Sequence, residues 1–368
     1  MTRPDPLSRR VLNRTLLARQ GLLERRRIDP IEVVSELVGM QAQEPIDPYV
    51  GLWSRIEDFD PMRLSDAIED RRLVRMGSLR TTLHLMTAED ALAISPLTAG
   101  VHRQTFGSTP FAKALEGVDR DEVVAEARRV LEAEPMTPGE LGRHLAGRWP
   151  DRDPSALAYL ARYSISLVQV PPRGLWKRTS RTSNTTLEAW TGRTPVATTL
   201  DALVLRYLRA FGPASSADVR TWSWFRGIRE VIDRLRSQLR VYRDESGREL
   251  LDVEDGVFAA ADVTAPVRFL PQYDNVFLSH DDRSRINGEL AWGIDFGWKG
   301  PILVDGTIAG AWRVRRSGKT ASMTIELARQ LSAEERRDLE AEGERLAAFL
   351  DPELQRELAI VEWGGGGS

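Results

Sequence analysis

Two glutamines separated by one alanine, Gln41 and Gln43, stand where an apolar helix is predicted to end. Residues two apart do not share a helix face, so both amides face one point only if the helix unwinds between them. Pro45 favours that unwinding, because a proline pushes the preceding residue towards an extended conformation. We therefore expect Gln41 to close the helix and Gln43 to lie in the exit loop. The plainer interpretation is a pair of polar surface residues at a helix end.

Composition narrows the class of protein. With 368 residues, 42% apolar and 29% charged, the sequence is that of a globular protein long enough for two or three domains. It has no cysteine and four widely separated histidines, so we expect no thiol chemistry, no metal site and no cofactor. No apolar run approaches the roughly 18 residues of a membrane helix, and no hydrophobic signal segment follows the N-terminus. We therefore expect a cytoplasmic protein.

The basic residues are unevenly distributed. The net charge is -3, yet residues 154–187 contain no acidic residue and five basic ones. Such a local excess could meet the phosphates of a nucleic acid. Arginine makes up 47 of the 51 basic residues, a bias that a GC-rich genome would also produce. The final residues 364–368, GGGGS, have the composition of a flexible linker and are excluded from the fold.

Groups of helices followed by two strands recur along the sequence. The segment 1–115 has predicted helices at 7–26, 31–40, 49–56 and 61–71 and strands at 73–76 and 82–86. The segment 116–195 has predicted helices at 121–133, 137–145 and 154–167 and strands at 168–170 and 175–177, around a hairpin tip at 171–174. The segment 196–262 has predicted helices at 200–211, 216–222 and 226–239 and strands at 239–243 and 249–253.

Three helices followed by a hairpin make a winged helix-turn-helix, which usually lays one helix in a groove of DNA. Recurrence at roughly 70 residues predicts three such units in tandem. In the segment 263–363, several short strands precede a helix with a capping box at Ser332, which predicts a small sheet and a covering helix. The predicted fold class is mainly α with β-hairpins, that is α+β. Ordinary helical packing is the alternative.

Three stretches together resemble one family: Gly39-Met40-Gln41-Ala42-Gln43, Pro271-Gln272-Tyr273-Asp274-Asn275 with 279–283, and Gly300-Pro301-Ile302-Leu303-Val304-Asp305-Gly306. They are similar to those of the AlkZ-type winged-helix DNA glycosylases, and the resemblance spans nearly the whole chain. It implies a monofunctional glycosylase that removes bulky or cross-linking N7-alkylated purines from double-stranded DNA. The family's Gln-x-Gln motif then falls on Gln41 and Gln43 as catalytic residues. Ala42 departs from the family, whose middle residue is often bulkier.

Two amide side chains could be enough to catalyse the loss of an N7-alkylated purine. Cleavage of an N-glycosidic bond passes through an oxocarbenium-like sugar, and an N7-alkylated purine already carries the positive charge that lets it depart. The enzyme then needs a placed water and electrostatic help, without a general acid. We expect Gln43 to orient the water near C1′ and Gln41 to hold that water or a phosphate, in roles that could be exchanged. Glu44 is a further candidate base.

The remaining candidates are DNA contacts. They are Arg75, Arg80, Arg173, Lys177, Arg178, Arg181, Tyr273, Asp274, Asn275, Arg283, Arg313, Arg315 and Arg316. The resemblance also implies that the lesion is approached from a groove and is not fully flipped out. Three modules in one chain suit a monomer on duplex DNA, so we expect a monomer at the nucleoid. A non-catalytic winged-helix transcriptional regulator and a protein-interaction scaffold are the alternatives, because fold does not fix function.

Overall fold

The computed structural model describes residues 6–288, 290 and 297–362. The predicted linker, residues 364–368, lies outside the described residues. The first segment contains α1 (Arg9–Arg19), α2 (Pro30–Glu36), β1 (Met40–Gln41), α3 (Asp47–Trp53), α4 (Pro61–Glu69), β2 (Leu73–Gly77), β3 (Leu83–Thr87), α5 (Ala88–Gly107) and α6 (Pro110–Ala114). A 3-10 turn, Leu79–Thr81, joins β2 to β3.

The second segment follows the predicted order of helices and strands as far as β4, and the third follows it throughout. The second contains α7 (Arg120–Ala133), α8 (Pro138–Arg148), α9 (Pro154–Ser164), β4 (Leu167–Gln169), β5 (Asn184–Thr186) and α10 (Leu187–Thr191). The third contains α11 (Leu200–Phe211), α12 (Ser216–Ser223), α13 (Ile228–Leu235), β6 (Leu239–Arg243) and β7 (Glu249–Val253), with a 3-10 turn at Arg236–Gln238. The C-terminal segment contains β8 (Arg268–Phe269), α14 (Asn275–Leu278), α15 (Ser284–Asn287), β9 (Gly300–Val304), β10 (Thr307–Ser317), β11 (Thr320–Leu327), α16 (Ala333–Leu350) and β12 (Gln355–Glu362). The chain is therefore a mixed α+β protein.

Local capping signals account for several helix ends. The Thr137 side chain accepts from the backbone N–H of Glu140 and the Glu140 side chain accepts in return, which starts α8; Ser332 and Glu335 start α16 in the same way.

The prediction of a first helix over residues 7–26 is wrong at its end. That helix stops at Arg19 because Gly21 takes a φ of 65°, a left-handed conformation that ends helices.

A five-stranded antiparallel sheet, in the order β1-β3-β2-β4-β5, joins the first segment to the second. The predicted hairpin with a tip at 171–174 and a strand at 175–177 is wrong, because β4 pairs with β5, Leu167 lying opposite Thr186. Residues 171–178 form turns instead, in which Leu175 N–H donates to Pro172 O and Arg178 N–H to Leu175 O. Pro171 and Pro172 have no N–H to give to a ladder, and Lys177 has a φ of 53°.

The C-terminal sheet has the order β12-β11-β10-β9-β8. Strand β12, which follows α16 and runs parallel to β11, was absent from the sequence-based expectation. Its residues reach the sheet only because α16 returns the chain to the edge of β11. Helix α16 covers the sheet as predicted: Leu339 and Leu346 are fully buried in one cluster with Phe269 and Ile325.

Three apolar clusters form the core of the part of the chain that the structure describes. One is confined to α5 to α9 and the loops beside them. A second joins the first and third segments and includes Val38, and a third joins the first segment to the C-terminal sheet and includes Met40 and Ala42. The Gln-x-Gln stretch therefore lies where two clusters meet. None of the helices in the described ranges is long and apolar enough to cross a membrane.

Candidate active site

Gln41 lies in a short strand at the edge of the first sheet, and Gln43 follows in a bend. The prediction that Gln41 closes a helix is wrong: α2 ends at Glu36, and Gln41 lies in β1 opposite His84. Val38 and Gly39, with φ values of 56° and 91°, reverse the chain between helix and strand. A Cβ at Gly39 would lie 2.9 Å from Met86 Cγ, so the turn requires glycine.

Gln41 and Gln43 lie on different parts of the backbone. Gln41 is the last residue of β1, and Ala42 N–H extends the ladder by donating to Leu83 O at 2.8 Å. Ala42 itself is fully buried in the core. Gln43 follows in a bend, that is, in the exit loop where it was expected. Convergence of the two amides on one point stays a prediction.

Gln41 is held by an arginine. Arg80 Nη2 donates to Gln41 Oε1 at 2.8 Å, and Arg80 Nη1 donates to Trp222 O on α12. Gln41 is only 7% exposed and Arg80 only 9%. Burial, together with the nearby charge of Arg283, lowers the pKa of Arg80 to about 10, which still leaves it charged at neutral pH. The first glutamine of the motif thus has a fixed orientation.

Two other side chains fix the backbone of the motif. Arg75 donates to Ala42 O from Nε at 2.9 Å and from Nη2 at 2.6 Å, and to Gln43 O at 2.9 Å. Asn275 Nδ2 donates to Gly39 O at 2.7 Å, while its Oδ1 lies 3.4 Å from the N–H of Gln41. The motif is therefore tied down on both sides by groups far away in the sequence.

A buried ion pair supports Asn275. Asp274 accepts from two guanidinium nitrogens of Arg55, each at 2.8 Å, and both residues are buried. Asp274 also caps α14 by accepting from Val276 N–H at 3.0 Å. Separating such a buried pair would leave two uncompensated charges, so the two side chains stay together. Asp274 thereby sets the position of Asn275, the next residue along the chain.

A cavity of about 500 Å³ opens beside Gln43 and Glu44. We call it the tyrosine cavity, because Tyr159 and Tyr163 of α9 form part of its wall. The first sheet forms the opposite wall. The other residues that line it include Arg75, Gly77, Thr81, Leu83, His102, Leu131, Met136, Leu141, Ala158, Arg162, Ile165, Leu167, Gln169, Arg173, Thr182 and Asn184.

A second cavity, of about 770 Å³, lies on the other side of the same loop. We call it the basic cavity, because it is lined by Arg173, Lys177, Arg178, Arg313 and Arg316 together with Trp176, Trp298 and Trp312. Glu44 and Arg173 line both cavities. The exit of the Gln-x-Gln motif, at Glu44, is therefore a ridge between two cavities, each of which is lined by both aromatic and basic side chains.

Asp47 is a buried carboxyl at the foot of this ridge. It lines the basic cavity, and its Oδ2 accepts from Glu44 N–H at 3.1 Å. Burial raises the pKa of Asp47 to about 7, an effect to which the nearby charge of Glu44 adds. The carboxyl is thus poised to change its charge near neutral pH, directly beside the motif.

The structure brings together a subset of the predicted DNA contacts. Arg173, Lys177, Arg178, Arg313 and Arg316 meet at the basic cavity, where Arg313 and Arg316 also approach Glu326 and Asp351. Among the described residues, no carboxylate forms a salt bridge with Arg173, Lys177 or Arg178. These three cations are therefore available to phosphates.

The other predicted contacts are distributed differently. Arg181 and Arg315 are exposed and line neither cavity, whereas Tyr273 and Arg283 are half-buried. Arg75, Arg80, Asp274 and Asn275 are buried. For those four, direct contact with DNA stays a prediction, and the contacts that they do make position the motif.

Sequence reasoning missed the tyrosine cavity and Asp47. Tyr159, Arg162 and Tyr163 lie three and four residues apart, so they share one face of α9. That spacing was a usable signal, but helical spacing of aromatic residues is more often a sign of core. Asp47 had no signal of its own, since its burial depends on the loop around it. In the described part of the chain, no group of three or more histidine or acidic side chains could hold a metal ion.

The sequence model of the family described as DNA glycosylase AlkZ-like matches residues 34–349, which include the motif, the whole lining of the tyrosine cavity and all but the last residue of α16. The chain therefore belongs to the AlkZ-like DNA glycosylase family. It is a DNA repair glycosylase, and its substrate is DNA. The DNA glycosylase AlkZ of Streptomyces sahachiroi is similar in structure, with a TM-score of 0.75 and 20% sequence identity over 97% of this chain and 100% of that one. At this identity the likeness shows a shared fold. A comparison with curated protein sequences finds no match.

Proposed function

We propose that the protein hydrolyses the N-glycosidic bond of N7-alkylated purines in double-stranded DNA, with a water placed by Gln43. The observation that carries this proposal is the hydrogen bond from Arg80 Nη2 to Gln41 Oε1, beside a Gln43 that lines the tyrosine cavity. The two amides have different surroundings. They would therefore have different roles.

The hydrogen bond from Arg80 determines which end of the Gln41 amide is left to contact the substrate. A guanidinium offers only donors, so the amide oxygen of Gln41 must face Arg80 and the NH₂ group faces away. Among the described residues, no protein group accepts a hydrogen bond from Gln41 Nε2. Gln41 would donate to the attacking water or to a phosphate oxygen. It could not accept the proton of that water.

Gln43 would then be the group that orients the water. Its amide oxygen can accept from the water, and its backbone is held by Arg75. An amide cannot remove a proton at neutral pH, so this arrangement suits a leaving group that departs readily. A purine with an alkyl group at N7 carries a positive charge and is such a leaving group. Because the amide can assist the reaction only weakly, we expect it to cleave the labile bond of an N7-alkylpurine and not the bond of a normal base.

A monofunctional reaction is part of the proposal. A glycosylase that also cuts the strand would use an amine to form a Schiff base with the sugar. No lysine is found among the described residues that line the tyrosine cavity. Water is therefore the nucleophile that we assign.

The binding mode that we propose is a duplex lying across three winged helices in a monomer. The helix before each strand pair, α4, α9 or α13, would be the one to approach a groove. Arg173, Lys177 and Arg178 would meet phosphates at the basic cavity. A lesion read from the groove need not be extruded, so interstrand cross-links could also be substrates. Such a protein would work in the cytoplasm at the nucleoid.

Single-turnover release of 7-methylguanine from duplex DNA tests the proposal. We expect Gln43→Ala to slow release about a hundredfold and Gln41→Ala to slow it less, because the loss of one positioned hydrogen-bonding group from an active site typically costs about that much in rate. Gln238→Ala, which changes an exposed glutamine in the third segment, should keep the wild-type rate. Wild-type rates in both motif variants would sink the assignment.

Binding of the same duplex, followed by fluorescence anisotropy, separates catalysis from contact. If the motif variants bind as wild type but do not release base, the amides act on the bond. If they lose binding, they are DNA contacts. A non-catalytic regulator would bind the duplex and release no base in any variant.

A further inference from the structure

We propose that the tyrosine cavity binds the substituent on N7 of the damaged purine, and that it selects planar aromatic substituents. This inference rests on the proposed glycosylase function and adds a specificity site to it. Gly77, Tyr159 and Tyr163 are the residues to which we assign the selection. The cavity has two walls, one from the first sheet and one from α9.

Position is the first argument. Gln43 lines the cavity, and the water that it orients attacks C1′. In a purine nucleotide only N9 and C8 separate C1′ from N7. A group attached to N7 therefore begins beside the reacting carbon, and the tyrosine cavity is the space that opens there. Its volume of about 500 Å³ falls in the range of sites that hold small organic molecules.

The chemistry of the walls is the second argument. Tyr159 and Tyr163 are nearly parallel, at an interplanar angle of 26° and with ring centroids 6.2 Å apart, and Phe111 stacks on Tyr159 at 4.2 Å. Leu131, Leu141 and Ala158 add apolar surface. Aromatic rings preferentially stack on, or meet edgewise, other aromatic rings. A planar aromatic group suits such walls, whereas a methyl group would touch little of them.

The second cavity does not compete for the same group. Arg173, Lys177, Arg178, Arg313 and Arg316 line the basic cavity, so it suits phosphates. Trp176, Trp298 and Trp312 line it as well, but of the two cavities Gln43 lines only the tyrosine cavity, and the substituent begins beside the carbon that Gln43 serves. We therefore assign the substituent to the tyrosine cavity and the DNA strand to the basic cavity.

Gly77 offers a way to fill the tyrosine cavity without disturbing the fold. It ends β2 on the same face as Arg75, and both residues line the cavity. A Cβ at Gly77 would meet, within 4 Å, only His102 Cε1 at 3.9 Å. The side chain of Gly77→Leu would therefore extend into the cavity. Gly147→Leu is the matched control, because Gly147 in α8 has open space around it and does not line the cavity.

The test compares two duplexes of identical sequence, one with 7-methylguanine and one with 7-benzylguanine. Each single-turnover rate at subsaturating enzyme is divided by the spontaneous depurination rate of the same duplex. We expect the wild type to favour 7-benzylguanine about tenfold, since burying a ring of this size contributes at least that much. Gly77→Leu should remove the preference, and Gly147→Leu should keep it. Tyr163→Ala, which removes part of the cavity wall, should also reduce the preference. It tests the same site independently if Gly77→Leu does not fold.

Failure of the cavity proposal and failure of the glycosylase proposal would give different results. If the wild type releases 7-methylguanine but Gly77→Leu and Tyr163→Ala keep its ratio of rates, the cavity proposal is overturned and the glycosylase stands. If no base is released from either duplex, the glycosylase proposal fails. Anisotropy with the uncleaved duplexes then decides on the cavity: tighter binding of the benzyl duplex that Gly77→Leu abolishes supports it, and equal binding overturns it.

Discussion

Arg80 Nη2 donates to Gln41 Oε1 at 2.8 Å while Arg80 Nη1 donates to Trp222 O, so one buried guanidinium connects the candidate catalytic strand to α12. Arg80 adopts a left-handed conformation, with a φ of 55° and a ψ of 19°, in the turn between β2 and β3. That turn directs the side chain inward, towards Gln41. The third segment is in this way part of the site, although it contributes no side chain to the motif.

We predict that Arg80→Lys lowers the single-turnover rate of base release about tenfold, with little change in affinity for DNA. A lysine keeps the charge but lacks the planar fork that reaches Gln41 and Trp222 together, so Gln41 would lose its fixed orientation. Rates at saturating enzyme and anisotropy measure the two quantities. Arg103→Lys, at an exposed arginine of α5, is the control. A wild-type rate in Arg80→Lys would show that the orientation of Gln41 does not matter.

We predict that Asp274→Asn lowers the free energy of unfolding by about 3–5 kcal/mol. The change leaves the guanidinium of Arg55 buried without its anion, which is the costly way to break a buried pair. Urea titration measures the loss. Asp201→Asn, which breaks the exposed pair with Arg234, should cost far less. Similar losses in the two variants would contradict the prediction.

We predict that Asp47→Asn changes how stability depends on pH. Native Asp47 keeps its proton up to a pKa of about 7, while an unfolded aspartate ionises near 3.8. Between these values the native state binds more protons, so the free energy of unfolding falls as pH rises, by at most about 1.4 kcal/mol per pH unit. Asparagine keeps an acceptor for Glu44 N–H and removes this slope. The variant should therefore gain stability relative to wild type between pH 4 and pH 8.

Urea titrations of both proteins at several pH values measure that difference. Burial lowers the pKa of His84 and of His280 to about 3, which gives an opposite slope below pH 6.5. Because both proteins contain these histidines, their contribution cancels in the comparison. A difference in stability that does not vary with pH would refute the role given to Asp47.

We predict that replacing Lys177 and Arg178 together by alanine weakens the salt dependence of DNA binding. If each cation neutralises one phosphate, the slope of log K against log salt concentration should fall in magnitude by about two. Anisotropy titrations at four or five salt concentrations give the slope. Arg337→Ala, at an exposed arginine of α16, should leave it unchanged. An unchanged slope in the double variant would remove the basic cavity from the DNA path.

Elements with a complete local signal could be predicted from the sequence. The helix Leu200–Phe211 and the strands Leu239–Arg243 and Glu249–Val253 have the predicted bounds. The capping box at Ser332 starts a helix as expected. In each case the deciding groups lie within a few residues of one another, so neighbouring side chains and hydrogen bonds are enough to set the conformation.

The site depended on distant partners. Gln41 is in a strand because β3 is there to pair with it, and the same residues without β3 read as the end of a helix. Arg75, Arg80, Asp274 and Asn275 were singled out as DNA contacts, which stays a prediction, whereas their burial and their roles as supports follow from contacts with other segments. The strand that pairs with β4 was also predicted wrongly. Residues 175–177 are nearer in the sequence than β5, but the pairing depends on how distant segments pack.

The sequence by itself determined the α+β class, the order of most elements and the presence of two glutamines in a family motif. Only the tertiary structure decided that Gln41 lies in a strand, that Arg80 leaves Gln41 only its NH₂ group to offer, and that Glu44, the neighbour of Gln43, stands between the tyrosine cavity and the basic cavity. The physical reason is that local preference is fixed by neighbours in the chain, whereas burial, hydrogen-bond partners and cavities exist only once distant segments have packed.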